Sequence, residues 1–370
     1  MGDFINVLID DFQALLFRLL GLPIAFQILM WVFMWSVMLI FFFRAFGFFK
    51  EKPVPVVIKA FIYTFSSISV VVMVVATAYD HQQFLHEQER SFAARKPVVM
   101  IDRLSDDSTM LARQMDRLRK LSFAGKTDIS LLQQSGGVTV LQLGFSEPLI
   151  QGFLAYVDLD ENMVVLDTAI TVKERVSAFA KRFNATIAVN GEAGTSPGMN
   201  APLGQWTGNY MVNGSFLKSE DGPKRPLIWF EKNGPVHYSK ESEVVKRMPG
   251  KAYNAIWGRF DLLLNGKSAI SPYDRTSRSN YPRTLVGMDK EGKRMIMFVV
   301  DGRRPLYSRG MTMEMCAETM IAAGAWNAMA CDQGGSSEMW SKELGVVNEP
   351  SDGVERAVYT HLGFKPKSGK

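Results

Sequence analysis

From Gly21 to Phe43 the chain runs for 23 residues, GLPIAFQILMWVFMWSVMLIFFF, without one Asp, Glu, Lys or Arg. A helix of that length crosses a hydrocarbon core of about 30 Å, and few folds can bury such a run in any other way. A second apolar run, Ala60 to Tyr79, contains Ser and Thr residues that can return hydrogen bonds to their own helix. The two runs predict a transmembrane hairpin, 21–43 and 60–79, inside an N-terminal membrane region 1–79. A cleaved leader is the competing reading. Asp3, Asp10 and Asp11 stand where its basic residues would be, and two spans follow rather than one short apolar core.

Lys/Arg bias sets the expected orientation. The loop between the spans carries Arg44, Lys50, Lys52 and Lys59, the segment before them only Arg18. The loop is expected in the cytoplasm and both termini outside it, although Arg90, Arg95 and Lys96 pull the other way. This predicts a multi-pass protein of the inner (cytoplasmic) membrane whose C-terminal domain is periplasmic. Phe4 to Leu19 reads either as an amphipathic surface helix or as an extension of the first span.

Residues 80–127 turn polar and are expected to form a stalk. Leu111, Met115 and Leu118 recur there at helical spacing, with Asp107 or Ser108 as cap. From 128 to 370 the texture changes to short apolar or alternating runs such as GVTVLQL, FLAYVDL, MVVLDTAI and RMIMFVV, which read as strands. Asn213-Gly214, Asn233-Gly234 and Asn265-Gly266 sit between or beside such runs and mark tight hairpin turns. Two helices are expected, Val172 to Phe183 and Thr312 to Ala323, the second capped by Thr312 and stopped by Gly324. The predicted class is α+β, a largely antiparallel sheet domain with few helices.

The charge balance, Lys+Arg 42 against Asp+Glu 37, leaves only +5 and no concentrated basic stripe, so no nucleic-acid partner is expected. Two cysteines and four scattered histidines offer no metal-ligand spacing and no dinucleotide fingerprint appears, so neither metal nor cofactor is expected. Cys316 and Cys331 read equally as a disulfide or as two buried thiols. What chemistry there is lies in three clusters at strand ends. Asp301-Gly302-Arg303 follows the strand MIMFVV, and Arg283 opens the strand that pairs with it, so two guanidinium groups converge on one end of the sheet. Their planar forks match phosphate or carboxylate oxygens. Asp332-Gln333-Gly334-Gly335-Ser336-Ser337 offers a carboxylate and a loop of small donors, and Asn190-Gly191-Glu192 another carboxylate. Alone, either arginine reads more simply as a surface ion pair, the Gly-Gly-Ser-Ser loop as a flexible turn and Asn190-Gly191-Glu192 as a turn with a solvated Glu. Taken together, paired carboxylates are what glycosyl transfer to water requires. Trp206 and Tyr210 could stack on a sugar, though core packing is the commoner use of such rings.

The order NYPRTLVGMDKEGKRMIMFVVDGR, SRGMTMEMCAETMIAAGAWNAMACDQGGSSEMW, NEPSDGVER resembles the phosphodiester glycosidase family, over roughly 138–364. The resemblance implies cleavage between an anomeric carbon and a phosphodiester oxygen. It places Arg283, Asp301, Arg303, Ser308, Gly310 and the segment Asn348 to Arg356 on family motifs. Two motifs depart: Asn190-Gly191-Glu192-Ala193-Gly194 lacks the family's second glycine and aromatic pair, and Gln333 replaces a glycine.

The expectation is a membrane-anchored glycosidase acting on a glycosyl-phosphate linkage of an envelope glycan, glycolipid or exopolysaccharide. Asp301, Asp332 and Glu192 are its catalytic candidates. Asn190, Arg283, Arg303, Ser308, Gly334, Gly335, Ser336 and Ser337 are its substrate-binding candidates. A non-catalytic glycan-binding or assembly subunit of envelope machinery is the rival reading.

Overall fold

The structure is a computed structural model that describes residues 107–168, 172–192, 210–218, 225–232, 234–239, 251–270 and 278–367. The predicted spans, most of the predicted stalk, Trp206 and Asn233 lie outside these residues. No helix among the described residues is long and apolar enough to cross a membrane.

In chain order the elements are α1 (Asp107–Leu118), β1 (Thr127–Ser135), β2 (Val138–Phe145), β3 (Ile150–Asp158), β4 (Asn162–Leu166), α2 (Val176–Phe183), β5 (Ile187–Asn190), β6 (Tyr210–Val212), β7 (Ser215–Lys218), β8 (Leu227–Glu231) and β9 (Val236–Ser239). There follow β10 (Ala252–Trp257), β11 (Phe260–Leu264), β12 (Lys267–Ser268), β13 (Arg283–Met288), β14 (Arg294–Val300), α3 (Met313–Ala322), β15 (Asn327–Ala330), β16 (Met339–Ser341), β17 (Gly345–Val346) and β18 (His361–Pro366). They form an eight-stranded sheet in the order β1-β2-β3-β14-β13-β15-β11-β12, and two five-stranded sheets, β7-β6-β10-β8-β9 and β17-β16-β5-β18-β4. The described pairings are antiparallel, as the α+β reading expects.

After Arg294 the run MIMFVV is apolar throughout because β14 lies inside the large sheet with both faces covered. Met295, Met297 and Val299 point into a core shared with Val189, Trp229, Ile256 and Phe364 of the smaller sheets. Ile296, Phe298 and Val300 point the other way, into a core with Met313, Cys316 and Met320 of α3 and Leu118 of α1. Each fully buried side chain of this kind contributes about 1.5–3 kcal/mol. Val176, Phe179 and Ala180 of α2 pack with Ala188 of β5 in a third cluster.

Local signals hold where the sequence carries them. Thr312 caps α3 by accepting from the Met315 N–H at 3.3 Å, and Gly324 ends it at φ +90°. Asn213-Gly214 and Asn265-Gly266 turn with positive φ at both residues, 53° and 79°, 52° and 74°. α2 starts at Val176 rather than Val172, because Glu174 exchanges two 2.8 Å backbone hydrogen bonds with Val358 and holds the preceding residues extended. The helix read within the stalk, α1, packs on the large sheet and buries Leu118 and Leu121. Cys316 and Cys331 are both free and buried. They belong to cores on opposite faces of the large sheet, since residues of β15 alternate and Cys331 follows the parity of Met329.

Candidate active site

Register brings four strand ends together. Arg283, first in β13, pairs with Val300, last in β14, so Asp301 emerges beside it. Leu285 pairs with Ala330, which carries Cys331 and Asp332 to the same end. The Thr284 hydroxyl donates to Asn190 Oδ1 at 2.7 Å and ties in the end of β5. Asn190 is fully buried and wholly occupied. Its Oδ1 also accepts from the Glu338 N–H at 3.1 Å, and its Nδ2 donates to the carbonyls of Asp332 at 3.0 Å and Gly191 at 3.2 Å. It braces the two carboxylate-bearing loops against each other.

Glu192 is 4% exposed, and its Oε2 has no hydrogen-bond partner among the described residues. Burial first, and the charge of Asp332 second, push its carboxyl up to about 8, while Arg259 and Arg225 pull it back. Its backbone is fixed from β18: the Thr360 hydroxyl donates to the Glu192 carbonyl, and the Gly191 N–H donates to the Thr360 carbonyl at 2.7 Å. A Cβ on Gly191 would lie 2.6 Å from that hydroxyl oxygen, so only glycine permits the approach. Asp332 keeps 18% of its side chain exposed and pairs with Arg259 at 3.6 Å. The protonated form is favoured at Glu192, and a cation faces Asp332.

Asp301 has a different place. It is 1% exposed, and both carboxylate oxygens are enclosed. Oδ1 accepts from Asn348 Nδ2 at 2.9 Å and Oδ2 from the Tyr307 hydroxyl at 3.0 Å, while the Glu349 N–H reaches both at 3.1 Å. Burial pushes it up to about 7 against these donors. Ser308, also fully buried, donates to the Asp301 carbonyl at 2.5 Å and accepts from the Gln151 N–H at 3.0 Å. Asp301 and Ser308 therefore brace the strand end from behind.

The two arginines do converge. Their guanidinium carbons lie 5.5 Å (Arg283) and 5.3 Å (Arg303) from the centroid of one ring, Tyr281. They are not equivalent. Arg283 is 2% exposed and donates through Nε to the Met311 carbonyl at 3.0 Å, through Nη2 to the Ser279 carbonyl at 2.6 Å, and through Nη1 to the Gln333 side-chain oxygen. Burial lowers its pKa below the usual arginine value. Arg303 is exposed, at φ +62°. Its Nη2 lies 3.1 Å from where a Gly334 Cβ would sit. Gly334, Gly335, Ser336 and Ser337 form a buried turn. The Gly334 N–H donates to the Pro282 carbonyl at 3.0 Å, and Gly335 faces the Asp352–Arg356 ion pair. Gln333 is the partly exposed member of that loop.

Sequence reasoning missed Arg225, Arg259, Tyr281, Thr360 and Glu338. Arg259 had a signal, a cation on the two-residue connection between the apolar strands β10 and β11. Glu338 is 1% exposed and pushed up to about 8 by burial and then by Glu355, with Oε1 unpartnered among the described residues. Tyr210 is core, packed edge-on to Trp257.

A carboxyl held protonated beside an ion-paired carboxylate, with guanidinium groups at the same strand ends, is equipment for hydrolysis at an anomeric carbon. Residues 183–365 match the family model described as phosphodiester glycosidase. Among curated proteins, the SPbeta prophage-derived uncharacterized protein YomE of Bacillus subtilis (strain 168) is 26% identical over 199 residues, 52% of this chain. The chain spans 30% of that relative's length. Among solved structures, the zebrafish N-acetylglucosamine-1-phosphodiester alpha-N-acetylglucosaminidase catalytic domain, auto-inhibited by pro-peptide, is similar at a TM-score of 0.49 and 22% identity, covering 64% of this chain and 82% of that one. A hypothetical protein from Synechocystis is similar at a TM-score of 0.46 and 10% identity, covering 65% of this chain and 64% of that one.

Proposed function

We propose that the domain hydrolyses the bond between the anomeric carbon of a sugar and an oxygen of a phosphodiester, releasing the free sugar and a phosphomonoester. Glu192 donates the proton, Asp332 faces the positive charge that grows on the anomeric carbon, and the exposed Arg303 receives the phosphate. Water supplies the hydroxyl on the sugar. Arg283, Asn190, Asp301 and Ser308 hold this arrangement from behind. The departing phosphate has a second pKa near 6, so it leaves with less help from a proton than an alkoxide would need. Glu192 is therefore assigned the lower part of the usual range for general acid catalysis, about 100-fold.

The observation that carries the reading is Glu192 itself: buried, without a partner at Oε2 among the described residues, and pushed up to about 8 beside Asp332. The test is release of free sugar from a panel of sugar phosphodiesters by the purified protein, by Glu192→Gln and by Asp332→Asn. Cleavage by wild type and loss in both variants is expected. Binding of such ligands without cleavage by wild type would replace this reading with the glycan-binding one.

The apolar runs 21–43 and 60–79 support an anchored enzyme whose domain faces the periplasm, acting on an envelope glycan, glycolipid or exopolysaccharide. A reporter fused after Lys370 should then behave as extracytoplasmic and one inserted near Lys52 as cytoplasmic. The reverse pattern refutes the orientation.

A further inference from the structure

We infer that Gln333 sets the charge state of phosphate this site retains, favouring a diester over the monoester product. The inference rests on the proposed reading of Arg303 as the phosphate contact. Arg283 stands against the same Tyr281 ring as Arg303, and its donors are committed to protein oxygens: Nε to Met311, Nη2 to Ser279 and Nη1 to Gln333. The first two acceptors are backbone carbonyls, fixed by the fold. The third is a side chain from the partly exposed position of the Asp332 loop. Gln333 thus presents a neutral amide oxygen where an anion's oxygen would otherwise reach a buried guanidinium.

The consequence follows from counting oxygens. A phosphodiester has two unesterified oxygens and one negative charge, which a single arginine fork satisfies bidentately. The phosphomonoester product has three such oxygens and carries close to two charges at neutral pH. Its third oxygen needs a further donor at the same end of the sheet, and Arg283 Nη1, against the same Tyr281 ring, already donates to Gln333. Gln333 leaves substrate recognition to Arg303 and withholds the extra charge-assisted hydrogen bond that would hold the product.

Inorganic phosphate is the probe, because its binding can be measured by calorimetry without turnover. The measurement compares the full-length protein with Gln333→Ala and Gln333→Gly. Gln333 has φ −128°, which alanine adopts without strain, and two truncations guard against one failing to fold. Opening the Nη1 edge should tighten phosphate binding about tenfold to a hundredfold, the range for a hydrogen bond to a charged group. Adding Arg283→Met to Gln333→Ala should return the affinity to wild type or below. Phosphate affinity in both truncations within twofold of wild type overturns the inference, as does a gain that survives loss of Arg283. The two readings fail separately. A gain in phosphate affinity through Arg283 in a protein that cleaves no sugar phosphodiester leaves Gln333 as the discriminator and removes the hydrolase reaction. Cleavage with no such gain does the opposite.

Discussion

Glu192→Gln preserves the shape of a side chain that is 4% exposed and removes its ability to ionise. The carboxyl titrates at about 8 in the folded protein, against an ordinary value of 4.5. Between those two values the folded protein binds a proton that the unfolded chain has lost. The stability contributed by wild-type Glu192 therefore falls as pH rises, by up to about 1.4 kcal/mol per pH unit, and levels off above the folded value. Glutamine does not titrate. The unfolding free energy of the variant relative to wild type should thus shift in the variant's favour across that window, by at most about 5 kcal/mol. Urea unfolding of both proteins at half-unit steps from pH 4.5 to 8.5 measures it. The same proton should appear in catalysis: wild-type kcat/KM should fall above pH about 8, and the variant should lose about 100-fold in rate together with that alkaline limb. A stability difference identical at pH 5 and pH 8 would refute the reasoning, because Glu192 would then be ionised throughout and could not be the proton donor.

Asp301→Ala strips the acceptor from Asn348, Tyr307 and the Glu349 N–H inside a 1% exposed site, and should destabilise the domain by about 2–5 kcal/mol, read as a lower urea midpoint. Arg303→Lys keeps the charge but loses the fork, and should cost about tenfold to a hundredfold in kcat/KM with no change in the unfolding midpoint. Cys316 and Cys331, on opposite faces of the sheet, should alkylate only after denaturation, and non-reducing mass analysis should show no bridge between them.

Much of the frame was legible. The apolar run of β14 and the turn residues Asn213-Gly214 and Asn265-Gly266 carry their own local causes, and the hairpin β13–β14 placed Arg283 beside Arg303 from pairing alone. What escaped was contact between neighbouring strands that lie far apart in sequence. Arg259 meets Asp332 because its N–H donates to the Ala330 carbonyl at 2.7 Å, a register relation between segments some seventy residues apart. Thr360 reaches Glu192 only because β18 pairs with β5, His361 opposite Asn190. No periodicity within either segment encodes such pairings. The two cysteines were ambiguous for a related reason: fifteen residues of separation permits a bridge, and only the parity of β15 forbids it.

Asp301 and Asp332 look alike in sequence, each leaving an apolar strand of the same sheet toward a glycine-containing loop, and their fates diverge through what covers them. Asn348 and the Glu349 N–H close over Asp301 and spend its oxygens on the protein, so its negative charge, where present, stabilises the strand end and reaches nothing else. Among the described residues nothing comparable closes over Asp332, whose carboxylate meets Arg259 at 3.6 Å and remains 18% exposed. The Asp332 charge, second to burial, helps keep Glu192 protonated. The proposed acid–base pair thus joins a strand-end carboxylate that is partly uncovered to one that is buried. Asp332→Asn would take away that charge and lower the Glu192 pKa only part of the way, because burial, the larger cause, would still hold the carboxyl above its ordinary value.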